Sequence, residues 1–284
     1  MKIALTGPDG MLGSDLIKVL SPRHEIIPLL YPKFNLVEAD VAREMILGIN
    51  PEFVIHAAAY TEVDNCESSF DYAFQVNAFG TETVALACKE AKAVMLYIST
   101  DYVFDGKKEN PYTESDKPNP LNVYGKSKLA GEDYVSKLLK DYYIIRSSWL
   151  YGKMGKNFVK TILNLAKEKR ELTVVNDQIG SPTYTLDLAK GMAEIIEKRI
   201  PFGIYNLTNQ GYCSWYELAK KILEYAGLKD LEVKPVTSEE FHRPAVRPKN
   251  SRLDNSKIKK AGIQLRPWDE ALKDYLSEEN IIPL

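Results

Sequence analysis

Thr6-Gly7-Pro8-Asp9-Gly10-Met11-Leu12-Gly13 is the stretch on which the fold turns. Before it, Ile3, Ala4 and Leu5 lead into Thr6 as a short buried strand over 2–6. After it, Leu12, Leu16, Val19 and Leu20 fall on one face of a helix over 11–20. Gly7 supplies the backbone shape of a tight turn, Gly10 carries no side chain to block a pyrophosphate, and Gly13 lets the helix close on the sheet. Free N–H groups at the helix N-terminus complete an anion site. Any tight strand-to-helix turn shares these glycines, but the place of this one at the start of the chain favours a dinucleotide.

Working outward, strands over 25–30, 53–56, 94–99 and 142–146 alternate with helices over 69–91 and 121–139. That alternation predicts an α/β fold, a Rossmann-type doubly wound parallel sheet covered on both faces. Pro28 places the second strand near an edge. Beyond residue 150 the pattern loosens. Helices fit 156–169, 185–198 and 214–226, the last opened by Ser214 with Glu217 three residues on. Strands fit 172–175, 204–207 and 232–236; a basic, proline-rich loop spans 242–252, and a closing helix starts at Pro267 as its first residue. We expect 1–150, joined by about 184–206, to form the dinucleotide domain, and 151–284 to form mainly a smaller α/β substrate domain.

Composition narrows the function classes. The 284 residues are 45% hydrophobic and 27% charged, as in an ordinary globular protein. A formal charge of −2 leaves no basic field for nucleic acid. Cys66, Cys88 and Cys213 are scattered and odd in number, which argues against a disulfide framework and for a reducing cytoplasm. His24, His56 and His242 lack metal-ligand spacing, so no metal is expected. No apolar run reaches membrane-spanning length, and the glycine turn comes too early for a signal peptide. The expectation is a cytoplasmic protein with a small-molecule partner and no membrane or nucleic-acid partner.

The chemistry lies in Tyr124-Gly-Lys-Ser-Lys128. On a helix, this spacing stacks phenol and ammonium one turn apart on the same face. A free phenol titrates near 10; a neighbouring cation is expected to lower that value and make Tyr124 a usable general acid. Taken alone, the pair also fits a surface tyrosine above a solvated lysine. Ser99-Thr100-Asp101, at the end of a strand aimed at the cofactor cleft, adds a hydroxyl able to orient a reacting carbonyl toward Tyr124.

With these residues in view, TGPDGMLG (6–13), YISTDYVFDG (97–106) and LNVYGKSKLAGE (121–132) resemble the extended short-chain dehydrogenase/reductase family. HAAAYTEVDNCE (56–67), RSSWLYG (146–152), GKNFVKTILNLAKE (155–168), LTVVNDQIGSPT (172–183) and RPKNSRL (247–253) extend the likeness, in order, to its nucleotide-sugar reductases. The resemblance implies a catalytic threesome of Thr100, Tyr124 and Lys128, with hydride passing to the C4 ketone of a dTDP-4-keto-6-deoxy-L-hexose. Carried onto this chain, the cofactor contacts are Gly7, Gly10, Met11, Leu12, Gly13, Asp40, Val41, Ala57, Ala58, Ala59, Asn77, Tyr124 and Lys128. The sugar contacts are Thr100, Asp101, Val103, Tyr124, Trp149 and Asn157. Arg247 and Arg252 are candidates to clamp the diphosphate, since guanidinium forks match phosphate oxygens; a solvated basic loop is the alternative. Gln178 and Asn176 fit a ligand contact or an ordered annex loop equally well. Asn77 likewise fits an active-site or a capping role.

Two departures stand out. The second strand ends Leu29-Leu30-Tyr31-Pro32-Lys33, with no acid for a ribose diol. The cofactor is therefore NADPH or NADH, with NADPH at least tolerated and Lys33 or Arg23 facing its 2′-phosphate. Some relatives dimerise around a carboxylate-bound metal; here Asp15 is present, but Leu186 stands where the annex acid belongs, so a monomer or a metal-free homodimer is expected. Two other functions remain open: a nucleotide-sugar epimerase or dehydratase that retains NAD, and a non-catalytic subunit like the regulatory β-subunit of methionine adenosyltransferase.

Overall fold

A computed structural model describes residues 1–228 and 230–281. In chain order the elements are β1 (Lys2–Thr6), α1 (Met11–Leu20), β2 (Glu25–Leu29), α2 (Ala39–Ile49), β3 (Phe53–His56), α3 (Val63–Ser68), α4 (Phe70–Phe74), α5 (Gly80–Ala91), β4 (Val94–Thr100), α6 (Val123–Leu138), β5 (Tyr142–Ser147) and β6 (Leu150–Tyr151). Then come α7 (Phe158–Glu168), β7 (Glu171–Val175), β8 (Ile179–Gly180), β9 (Thr183–Tyr184), α8 (Thr185–Lys198), β10 (Gly203–Asn206), β11 (Cys213–Ser214), α9 (Trp215–Tyr225), β12 (Glu232–Val236), α10 (Ser256–Lys260) and α11 (Trp268–Glu278).

Six strands form one parallel sheet in the order β10-β5-β4-β3-β1-β2. Pro28, which cannot donate to a ladder, sits on the edge strand β2 opposite Leu5. Alternating strand residues feed two cores. Ile3, Leu5 and Ile55 pack against Leu12, Leu16 and Leu20 of α1 and Met192, Ile195 and Ile196 of α8. Ala4, Val54 and Met95 face Ile46 of α2, Val84 and Cys88 of α5 and Val135 of α6. The chain passes from β1 to β2 on one side and returns to β3 on the other. That reversal opens a crevice beyond the carboxyl ends of β1 and β3.

A third core, with Val159, Ile162, Leu172, Leu218, Ile222, Leu272 and Tyr275, holds α7, α9 and α11 over the β7–β12 pair. Ser214 and Glu217 form the expected capping box. β10 pairs with β5 in the six-stranded sheet, and α8 packs on α1.

Three expectations are corrected. The helix expected over 69–91 is broken: Gln75–Phe79 forms a π turn between α4 and α5. One extra residue per turn turns Asn77 inward without disturbing the apolar pattern on either side. The eleven-residue α2 was not expected. Pro267 precedes the closing helix as its cap, with φ −56° and ψ 144°.

Candidate active site

The crevice is a cleft of about 620 Å³ whose floor is the glycine turn. A Cβ on Gly7 (φ +65°) would lie 2.8 Å from the Ala58 nitrogen, and one on Gly13 would lie 1.9 Å from the Gly7 oxygen. A Cβ on Gly10 would meet only the Gly7 oxygen, at 3.3 Å, so its remaining side opens to the cleft. Gly7, Gly10, Met11, Leu12, Gly13, Ala57, Ala58 and Ala59 all line the cleft, as do Thr100, Asp101, Tyr124, Lys128 and Trp149.

Beneath the floor runs a polar chain. The Ala58 N–H donates to Thr6 Oγ1 (3.1 Å), which meets His56 Nδ1 at 2.8 Å; His56 Nε2 meets Thr81 Oγ1 at 3.1 Å, and Thr81 donates to the Asn77 carbonyl (2.8 Å). Since Thr81 gives its proton to a carbonyl, it accepts from His56 Nε2–H, and Nδ1 accepts from Thr6. Burial, then the Lys128 charge, pushes His56 down to about 3, so the ring is neutral. Asn77 binds both backbone groups of Tyr60 and the hydroxyl of Ser127 (2.8, 3.0 and 3.0 Å), and Ser127 donates to the Tyr124 carbonyl. Asn77 thus ties the alanine loop to the helix carrying Tyr124, and it does not line the cleft.

α6 is placed by its N-terminus. Asn122 accepts from Gly125 N–H, and Glu67 of α3 accepts from Val123 N–H, both at 2.8 Å. Thr100 donates to Asp101 Oδ1 at 3.0 Å and accepts from Tyr102 N–H. Burial raises the Tyr124 phenol well above its ordinary value; the Asp101 charge adds to this, and hydrogen bonding by Thr100 opposes it. Burial thus outweighs the lowering expected from Lys128, which lines the same cleft. Its Nζ sits 4.0 Å from the centre of the Tyr97 ring. Burial brings Lys128 down to about 7, with Glu132 pulling it up. Burial also raises Asp101 to about 7, against hydrogen bonds from Ser251 and Thr100.

Glu132, one turn past Lys128, is missing from the sequence reading although YxxxKxxxE spacing marks it. It is buried and accepts from Arg146 Nε and Nη2 (2.9 and 2.5 Å) and from Ser99 Oγ (2.5 Å). Trp149 has a left-handed backbone (φ 48°) and stacks on Trp215, centroids 3.5 Å apart and planes 6° apart. Trp215 also lines a second cleft of about 940 Å³, with Gln178, Phe158, His242, Arg243 and Arg247. No sequence signal distinguished Trp215 from a core aromatic.

Several predicted residues stand elsewhere. Asp40 and Val41 sit exposed in the first turn of α2, outside the cleft; Asn35 and Leu36 line it instead. Val103 is fully buried with Phe104, Tyr112 and Leu253. Asn157 caps α7 and donates to the Gly152 carbonyl, lining neither cleft. Asn176 accepts from Ser214 Oγ, the cap of α9. Arg247 is held by both oxygens of Asp64 at 2.9 Å, whereas Arg252 lies over Tyr212 and binds Asn250 away from both clefts. Arg23 is engaged by Glu197 at 2.7 Å, and Lys33 is exposed next to the cleft residues Tyr31 and Phe34 without lining the cleft itself. Asp15 accepts from Thr185 Oγ1 at 2.6 Å, and Leu186 is buried in the annex core.

The family described as "RmlD substrate binding domain" matches residues 1–281. The chain belongs to the dTDP-4-dehydrorhamnose reductase family. It is 43% identical to the spore coat polysaccharide biosynthesis protein SpsK of Bacillus subtilis, over 98% of each chain. The solved dTDP-4-dehydrorhamnose reductase of Clostridium acetobutylicum is 42% identical, with a TM-score of 0.96 over 99% of this chain and 100% of that one. The corresponding Bacillus anthracis enzyme, solved in complex with NADP, is 42% identical with a TM-score of 0.94 over 98% and 99%. Among the described residues, no helix is long and apolar enough to cross a membrane.

Proposed function

We propose that this chain is a dTDP-4-dehydrorhamnose reductase, reducing the C4 ketone of dTDP-4-dehydro-L-rhamnose to dTDP-L-rhamnose with NADPH, in a reducing cytoplasm and as a monomer or metal-free homodimer. The observation that carries this reading is the placement of Tyr124, Thr100 and Lys128 together in the cleft floored by the glycine turn. A dinucleotide fits there because Gly10 leaves open the space its phosphates need and no acid closes the β2 end. Residues 1–150 with 184–206 hold the cofactor, and the remainder holds most of the nucleotide sugar. When bound, the reduced nicotinamide supplies the hydride for sugar C4. Tyr124 gives its proton to the ketone oxygen, since a phenol is protonated at neutral pH, the form a reduction needs. Thr100 orients the carbonyl, Lys128 holds the nicotinamide ribose, and Asp101 and Trp149 border the sugar. The nucleotide lies in the second cleft with Gln178 and Arg247.

The test is NADPH consumption by purified protein with dTDP-4-dehydro-L-rhamnose, set against its C5 epimer and against NADH. Turnover of the L-configured ketone with NADPH is expected. Consumption with neither ketone would overturn the reading in favour of an epimerase or a non-catalytic subunit.

A further inference from the structure

Among the described residues, three in the cleft wall carry a buried polar atom with no hydrogen-bond partner: Asp101 Oδ2, Ser147 Oγ and Trp149 Nε1. Asp101 and Trp149 already have a place in the sugar site. Ser147 does not. It is the last residue of β5, paired in register with Thr100 on β4, and only 3% exposed. Its hydroxyl-bearing neighbours are otherwise engaged. Ser148 donates to the Ser181 carbonyl at 2.7 Å, Ser99 donates to Glu132, and Thr100 donates to Asp101. Ser147 is the strand-end hydroxyl left without a partner, and a buried hydroxyl in that state is costly unless a ligand completes it.

Its place in the cleft identifies the ligand group. The cleft extends from the glycine turn toward β2, where Leu29, Tyr31 and Asn35 line it, and toward β4 and β5, where Ile98, Thr100 and Ser147 line it. A dinucleotide held by its pyrophosphate at the turn, with its reactive ring beside Tyr124, puts adenosine at the β2 end and nicotinamide at the β5 end. Ser147 does not line the second cleft. A carboxamide offers an N–H and a carbonyl, and a hydroxyl is able to donate and to accept.

We infer that Ser147 binds the carboxamide of the nicotinamide ring, pinning the ring against the Thr100–Tyr124 wall and so fixing the face it presents to substrate. This rests on the proposal that a dinucleotide occupies the first cleft. The test is a fluorescence titration of the full chain, wild type and Ser147→Ala, with NADPH and with 2′-phospho-ADP-ribose, which lacks the nicotinamide. One neutral hydrogen bond corresponds to about threefold to tenfold in Kd. The alanine variant is expected to weaken NADPH by that factor, leave the fragment within twofold, and keep or raise its ligand-free melting temperature, since it loses an unpartnered buried hydroxyl; Ser147→Thr restores NADPH binding. Equal weakening of both probes, weakening of neither, or a raised KM for the keto sugar with unchanged NADPH binding would overturn the assignment. A wild type that bound neither probe would instead refute the dinucleotide reading, and this inference with it.

Discussion

Gly180→Ala perturbs the sugar wall without touching a reactive group. A Cβ at Gly180 would stand 2.4 Å from Trp149 Cε2 and 2.6 Å from Cζ2 and Nε1, about an ångström inside ordinary contact. The indole is hemmed in by its stacking partner, Trp215 at 3.5 Å, which in turn abuts Phe158 at 4.5 Å, so it can yield only toward the cleft. Nor can the backbone yield freely. Gly180 pairs with Cys213, and Ile179 beside it exchanges 2.8 Å hydrogen bonds with Lys249 and Ser251. Overpacking of this kind costs about 1–3 kcal/mol, which in a chain of this size lowers Tm by about 4–8 °C for a central value of about 2 kcal/mol. Because Trp149 lines the first cleft, its displacement is expected to raise KM for the keto sugar about tenfold and leave the NADPH Kd unchanged. Near-UV circular dichroism reads the stacked indoles directly and should lose intensity in the variant. A variant with unaltered near-UV signal and unaltered KM would refute the packing argument.

Asp64→Ala removes the anchor of Arg247 and Arg243; KM for the nucleotide sugar is expected to rise severalfold, with about 1–2 kcal/mol lost in thermal unfolding at low salt. Burial pushes the Asp64 carboxyl up, but its bonds from Arg247 and Ala245 N–H outweigh that and hold it at about 2, below the ordinary 3.8. Its contribution is therefore full above pH 4 and fades as pH falls toward 2, so the Tm gap between wild type and variant should close in acid. Glu132→Gln leaves the Arg146 guanidinium buried without its carboxylate, a loss of about 3–5 kcal/mol. It also removes the group that pulls Lys128 up, so the variant's activity is expected to fall at lower pH than wild type as pH rises and Lys128 loses its proton. An unshifted alkaline limb in a pH–rate profile would contradict that link.

What was legible in the sequence was whatever local spacing encodes. The strand–turn–helix at 2–20 and the Tyr124–Lys128 pair are short-range patterns, and the structure brings both to one cleft. Charge environment was not legible: the four-residue spacing promised an ammonium acting on a phenol, but burial outweighs it and raises Tyr124, and the lysine Nζ also sits over the Tyr97 ring. Pairings between distant residues were equally hidden. Arg247 meets Asp64 across 183 positions, so its guanidinium is engaged rather than waiting in a solvated loop. The lining of the β2 end was hidden for a related reason. Asp40 and Val41 have suitable side chains, but the loop after the edge strand β2 brings Asn35 and Leu36 to the cleft instead, and loop geometry leaves no periodic trace. Asn77 is turned inward by one π turn, a backbone change that apolar periodicity does not register.

The most direct test of the central claim is Tyr124→Phe, measured for both turnover and NADPH binding in the same preparation. The account predicts an NADPH Kd within threefold of wild type and turnover of the keto sugar reduced at least a thousandfold, on the order expected when a positioned proton donor is removed. A phenylalanine variant retaining a tenth or more of wild-type turnover would contradict it.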